Sequence, residues 1–420
     1  MSDDPTPVAP ARRRPARRTR LAITLSVVAL LLIGGGAAAA FALMPHPVES
    51  KPKASSSATP SPSASSKPTA TAVPKPISVI AMGDMLPHDS VNQNAKQADG
   101  TWNYGQFFTG IKKELDAADV RFCNQEVPSA GVEFGISGYP TFNAPTEFAR
   151  DLRKTVGCDL VNTATNHTAD KGVEGIAATR KAWDALKPAI VDGANRSAQE
   201  QQTVPIFEKD GVKIALVSFA EYSNAPIDGV SLNLMSNDAL VTQLMAQARK
   251  QADVVIVSAH WGTEDSHEVN DQQRGFAQKV ANLGADVVIG TGPHVLQPVA
   301  WLDRSGGGRT LVWYSIGNML NTQIELDQRT GLIAGFELAR AKAGGPVTVQ
   351  NPTGVLTYMH YDWTADDEAA NRLDARKNLS ITPLADSAAL LSRTRFGVTP
   401  AQQAEASAKV LGPEVKLESR

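Results

Sequence analysis

The run CDLVNTATNH (residues 158–167) passes from apolar, strand-like residues straight into Asn166 and His167. An apolar run of this length, closed by polar turn residues, reads as a buried strand and its loop. Four other stretches repeat the pattern. ISVIAM leads into Gly83-Asp84, Val120 to Cys123 into Asn124-Gln125-Glu126, DVVIVSA into His260-Trp261-Gly262, and DVVIGTG into Pro293-His294. In an α/β domain the loops after the carboxyl ends of parallel strands converge. Five such loops bring Asp84, Glu126, Asn166, His260 and His294 into one cleft, with the oxygen and imidazole donors that a divalent metal takes. A single Asp or Asn at such a place is more often a hydrogen-bonded turn residue. Five together point to a site.

Around these loops the sequence alternates between two periods. Helix-like stretches are Phe107 to Ala118, Thr146 to Val156, Val173 to Leu186, Asn237 to Gln251 and Asp271 to Leu283. Strand-like runs are Ile77 to Met82, Val120 to Cys123, Leu160 to Ala164, Lys213 to Phe219, Val254 to Ser258 and Val287 to Ile289. That alternation predicts largely parallel pairing. Two later runs, Leu311 to Ile316 and Leu332 to Leu338, lie among Gly306 to Gly308 and Gly344-Gly345, which favours antiparallel hairpins. Residues 365–420 are Ala-rich and charged and read as a peripheral helical segment behind a domain of residues 77–364.

The N-terminal part differs in kind. Residues 1–20 carry six arginines and read as a basic cytoplasmic tail. Leu21 to Met44 follows as 24 residues without a charge. At ~1.5 Å per residue that length spans a ~30 Å hydrocarbon core, so residues 21–44 read as a single-pass signal anchor at the cell membrane. The arginines keep the N-terminus inside and place the rest outside. Ala40-Phe41-Ala42 resembles a cleavage site, and the rival reading is a removed signal peptide and a secreted domain. Residues 45–76 are rich in Pro, Ser, Ala and Thr, bury too little to fold, and read as a disordered linker. Ten Lys/Arg against three Asp/Glu give residues 1–76 a net +7; with −2 for the whole chain, the remainder carries −9. An acidic exported domain argues against nucleic acid as a partner.

The chain has two cysteines. Export would favour a disulfide. Counting back from Glu126 and Asn166, however, sets Cys123 and Cys158 near opposite ends of their strands, roughly 16 Å apart at ~3.3 Å per residue. Two buried, unbridged thiols are expected.

Within the cleft, Asn166 offers a hard amide oxygen, and the adjacent His167 is left free to move a proton. Asp170 either orients that imidazole or caps the helix beginning near Gly172. His88, Glu264, His267 and Asn318 are further candidates, each with a turn or surface role as the plainer alternative.

In order, GD, NQE, TNHTADKG, HWGTE, GTGPHVLQP and YSIGNM resemble the motifs of the CapA-type capsule-synthesis family, the poly-γ-glutamate capsule proteins, from about Ile77 to Phe336. The resemblance implies a calcineurin-like metallophosphatase fold, a four-layer α/β/β/α sandwich with a two-metal cleft. It implies metal at Asp84, Glu126, Asn166, His260 and His294 and an acid at His167. The ions would be one or two of Mn, Fe, Zn or Mg. Two departures stand out: Asn124-Gln125-Glu126 where the family usually reads NLE, and Gly292 where it often has a histidine. Residues and resemblance together imply a metal-dependent, phosphoesterase-like hydrolase for capsule or another cell-envelope polymer, with polymer-synthase membrane proteins as candidate partners. The alternatives are a non-catalytic assembly component and an extracellular phosphodiesterase unrelated to capsule.

Overall fold

The computed structural model describes residues 73–418. The expected basic tail, membrane span and nearly all of the linker (residues 1–72) lie outside the described residues. Among those described, no helix is long and apolar enough to cross a membrane.

The strands begin, in chain order, with β1 (Ile77–Met85), β2 (Val120–Gln125), β3 (Leu160–Asn162), β4 (Ile190–Asp192), β5 (Ile206–Lys209), β6 (Val212–Ala220), β7 (Val254–His260) and β8 (Val287–Thr291). They continue with β9 (Val299–Asp303), β10 (Arg309–Trp313), β11 (Asn318–Leu320), β12 (Thr330–Arg340), β13 (Val347–Asp362), β14 (Lys377–Pro383) and β15 (Lys416–Leu417). One sheet has the order β14-β13-β12-β1-β2-β3-β4, with β11 on β1 and β15 on β13. The other has the order β5-β6-β7-β8-β10-β9. The expected parallel pairing holds for β1, β2 and β3 and for β6, β7 and β8; β4 on β3 and β10 on β8 add parallel pairs that the sequence reading did not contain. The expected hairpins are β9–β10 and β12–β13, both antiparallel.

Alternate side chains of each strand go to opposite faces. Ile77, Val79 and Ala81 of β1 therefore share one core with Ile214, Ile256 and Ile289 of the other sheet. Met82, Cys123 and Val161 pack instead with Phe108, Phe148 and Trp183 from helical segments. Val217, Val257 and Val288 pack under Leu244 and Phe276, from the helices Asp238–Gln251 and Asp271–Asn282. Each such large apolar side chain contributes about 1.5–3 kcal/mol when fully buried. Three cores result, one between the sheets and one on each outer face.

Two expectations are corrected. Cys123 and Cys158 form a disulfide, with Cα atoms 5.7 Å apart. The sequence count had set Glu126 level with Asn166, but the register pairs Cys123 with Val161 and Asn124 with Asn162. β3 is only three residues long, and Cys158 lies just before it, in the turn after left-handed Gly157 (φ 85°). The turn brings the sulfur back against β2. The second correction concerns residues 365–420. They do hold helices, the longest Pro400–Leu411, but β14 and β15 both pair with β13. Leu384, Leu391, Leu411 and Val415 enter the core between the sheets. The segment is part of the fold because alternate apolar residues of LSITP give β14 a buried face.

Candidate metal centre

Gly83-Asp84 lie one residue before the end of β1, where a Cβ at Gly83 would run into the Gly317 carbonyl. The bare glycine lets the strand end close on the segment before β11, so that Asp84 pairs with both Asn318 and Asn124. Asn124 Nδ2 donates to Asp84 Oδ1 at 2.6 Å, and Asn162 Nδ2 donates in turn to Asn124 Oδ1. On the other side, Gly292 N donates to Asp84 Oδ2 at 3.0 Å. His294 Nδ1 lies 3.2 Å from the same oxygen and 3.0 Å from Asn318 Oδ1. Asp84, Glu126 and His294 each present a donor atom, all within 4.8 Å of one another.

His260, the last residue of β7, completes the group. Its Nε2 lies 3.0 Å from Asn166 Oδ1 and 3.8 Å from Glu126 Oε1, and its Nδ1 3.0 Å from Thr291 Oγ1. The turn behind it is held by Gly262 N donating to Glu221 Oε2 and Trp261 N donating to Thr291 O. All five strand-end residues singled out in the sequence are thus together, and Asn318 joins them.

The group is closed off from the surface: Asp84, Glu126, Asn166, His260 and His294 are all buried. Burial works to raise Asp84, but the bond and charge of His294, with His260 beyond, hold it below the ordinary carboxylate range. Glu126 is pushed well above that range, first by burial and then by the charge of Asp84. Burial alone would lower His294; Glu126 and Asp84 outweigh it and hold the imidazole up at about 10. His260 falls to about 4, mainly through burial. Asp84 thus faces the His294 imidazolium as the carboxylate of the pair, while Glu126, 3.9 Å from His294 Nε2, is shifted toward its neutral form. Both Glu126 oxygens are buried without a hydrogen-bond partner. A carboxyl buried without a hydrogen bond stays toward its neutral form unless a cation is there to meet its charge. The set of carboxylate, amide and imidazole donors fits a divalent metal.

His167 stands beside the group rather than in it. Its Nδ1 lies 2.7 Å from Asp170 Oδ2, which also accepts from Phe142 N at 2.7 Å. The helix at Gly172 has no side-chain cap, so Asp170 faces His167 rather than capping. The carboxylate fixes the Nδ1–H tautomer and leaves Nε2 toward Asn224, 3.4 Å away. Of the other candidates, His88 has its Nδ1 3.1 Å from Leu86 O and 3.3 Å from Thr322 N, and packs against Phe142, which also packs against His167. Burial, then the charge of His294, lowers His88 to about 3. Glu264 is exposed and acts on Glu126 and His294 through charge alone. His267 turns away, to Leu296 O at 2.7 Å and Asp327 Oδ2 at 3.2 Å.

Sequence reasoning missed the support of the group: Asn162, Thr291, Glu221 and Asn224. Asn162 carried a signal, an amide inside a buried apolar run. Asn224 carried none, since its loop reaches the site only in the fold, where its backbone N donates to Asn166 O.

The sequence model of the family described as bacterial capsule synthesis protein PGA_cap matches residues 78–323, more than half of the chain. A PGA biosynthesis protein CapA of Bacillus subtilis (strain 168) is 28% identical over 199 residues, 46% of this chain and 50% of that protein. A capsule biosynthesis protein CapA of Bacillus anthracis is 29% identical over 180 residues, 40% and 42% of the two chains. The chain matches about half the length of these curated relatives or less. Among solved structures, a hypothetical protein from Thermus thermophilus superimposes with a TM-score of 0.40 at 16% identity, over 67% of this chain and 99% of that one. A 5'-nucleotidase from Candida albicans gives 0.39 at 11% identity, over 71% and 55%. With the family match covering the strand-end residues from Asp84 to Asn318, the chain belongs to the bacterial capsule synthesis protein family PGA_cap.

Proposed function

We propose that the chain is an exported, membrane-anchored hydrolase of the phosphoesterase type that uses a divalent metal in building capsule or a related envelope polymer, on a four-layer metallophosphatase-like sandwich. Glu126 carries the reading: a buried carboxyl group with no hydrogen bond to either oxygen, beside Asp84, His260 and His294. Those residues with Asn166 would hold the metal, which supplies a Lewis acid and a water that ionises near neutral pH. The chain's own part is positional. Asn124 and Gly292 fix Asp84, Asn166 fixes His260, and Asp170 keeps the His167 proton on Nδ1. Nε2 can then pass a proton to a leaving oxygen once the imidazole is charged. His167→Ala should lower turnover of a phosphoester roughly 10²- to 10⁴-fold with metal content unchanged. Unchanged turnover would remove His167 from the mechanism.

A non-catalytic role in polymer assembly is the second reading, and Gly292 favours it. A Cβ at Gly292 would come within 2.7 Å of Trp261 O, and its φ is +109°. No side-chain ligand fits there. Parent protein that binds metal yet turns over no phosphoester would select this reading.

A further inference from the structure

The loop after β6 crosses the metal centre and is fastened to it at both ends. Glu221 N donates to His260 O at 2.9 Å, and Asn224 N donates to Asn166 O at 2.8 Å. The Glu221 side chain adds a third tie, Oε2 accepting from Gly262 N at 2.7 Å. Beyond these, Ala225 and Ile227 pack with Ala169 and Ile176 of the neighbouring segment. A loop tied at so many points presents its side chains in fixed places.

One of those side chains is Tyr222, 41% exposed between the two fastened ends. Burial, then the charges of Glu264, Glu126 and Glu221, hold its hydroxyl above the ordinary value, against the pull of a bond to the Asn166 side chain. The polar end of the ring is thus set at the metal centre while much of the ring stays in solvent. Two further exposed side chains flank it. Asn224 has its Nδ2 3.4 Å from His167 Nε2, and Glu264 lies near enough for its charge to act on Tyr222. Behind them the donors of the centre are buried.

A leaving oxygen protonated by His167 Nε2 sits beside Asn224, so the group attached to it extends along residues 222–224. Glu221 and Glu264 disfavour an anionic group there. Carboxylate and amide groups pair well with hydroxyls, and an aromatic face held open takes the apolar C–H face of a ring. Together they match a sugar, which has both a face to cover Tyr222 and hydroxyls for Asn224 and Glu264. We propose that Tyr222, with Asn224 and Glu264, binds the sugar ring of a sugar phosphoester and so determines the substrate class of the site. This rests on reading the centre as a phosphoesterase, and equilibrium binding tests it apart from turnover.

Non-hydrolysable phosphonate analogues of a hexose phosphate, of glycerol phosphate and of choline phosphate are titrated by calorimetry into the full chain loaded with Mn²⁺. The parent should bind the hexose analogue about tenfold more tightly than the glycerol analogue, the effect of covering one ring face. Tyr222→Ala should bring the two within about twofold, and Tyr222→Phe, which keeps the ring, should retain most of the preference. A merely structural role for Tyr222 would weaken both ligands alike and leave their ratio unchanged. No binding by the parent, equal binding of the hexose and glycerol analogues, an unchanged ratio in Tyr222→Ala, loss of the preference in Tyr222→Phe, or tighter binding of the choline analogue would each overturn the proposal. A parent that shows the preference yet hydrolyses no hexose phosphate would contradict the hydrolase reading and leave the sugar subsite standing.

Discussion

At the scale of residues, the strand-end donors were legible because the sequence wrote each of them directly after an apolar run. Asp84, Glu126, Asn166, His260 and His294 needed only the rule that such loops converge. What holds them was less legible. Thr291 sits in a glycine-rich turn that reads as backbone geometry, and only the fold shows its hydroxyl on His260 Nδ1. Gly292 is the sharper case. In sequence it reads as a lost ligand; in the structure its backbone N–H binds Asp84, and its positive φ and the nearby Trp261 carbonyl require glycine. Gly292→Ala should therefore destabilise the chain by about 1–3 kcal/mol, read as a fall in thermal midpoint. A midpoint equal to the parent's would show that the turn tolerates a side chain.

At the scale of elements, register decided what spacing could not. Short β3 and the turn at Gly157 defeated a count that assumed straight strands of equal reach, and the disulfide was missed for that reason. β13 was missed because NPTG (residues 351–354) reads as a turn. β12 on one side and β15 on the other hold it extended, with left-handed Asn351 accommodated where the β12 register shifts. Replacing Cys123 and Cys158 together by alanine opens a bridge spanning 35 residues of sequence and should cost about 2–4 kcal/mol. Equal midpoints for reduced and oxidised parent would argue against that. Asp192 at the end of β4 ties the two sheets through Ser218 N at 2.7 Å. Burial pushes its carboxyl up to about 6, against about 3.9 in an unfolded chain. Its contribution is then fully present below pH about 4 and is lost as pH rises through about 6, because the folded state holds the extra proton between those values. Asp192→Asn should flatten that part of the stability profile; an unchanged slope between pH 4 and 6 would place the titration elsewhere.

At the scale of the whole molecule, the family match covers the strands that carry the metal-type residues and stops before β12, while the chain goes on to close the larger sheet with β12 to β15. Parallel βα units and later hairpins were readable from alternating periods, while the two-sheet sandwich was implied by the family resemblance alone. The C-terminal contribution was not, because its apolar positions are scattered among charges and become a face only when β13 is beside them. The central claim is that buried Glu126, with no hydrogen bond to either oxygen, marks a metal centre. The direct measurement is metal content per chain, by elemental analysis of full-length protein under Mn²⁺-replete conditions, for the parent and for Glu126→Gln. At least one ion per parent chain, and clearly less in the folded variant, is the predicted result. A parent chain holding less than one ion, or a Glu126→Gln chain holding as much as the parent, would contradict it.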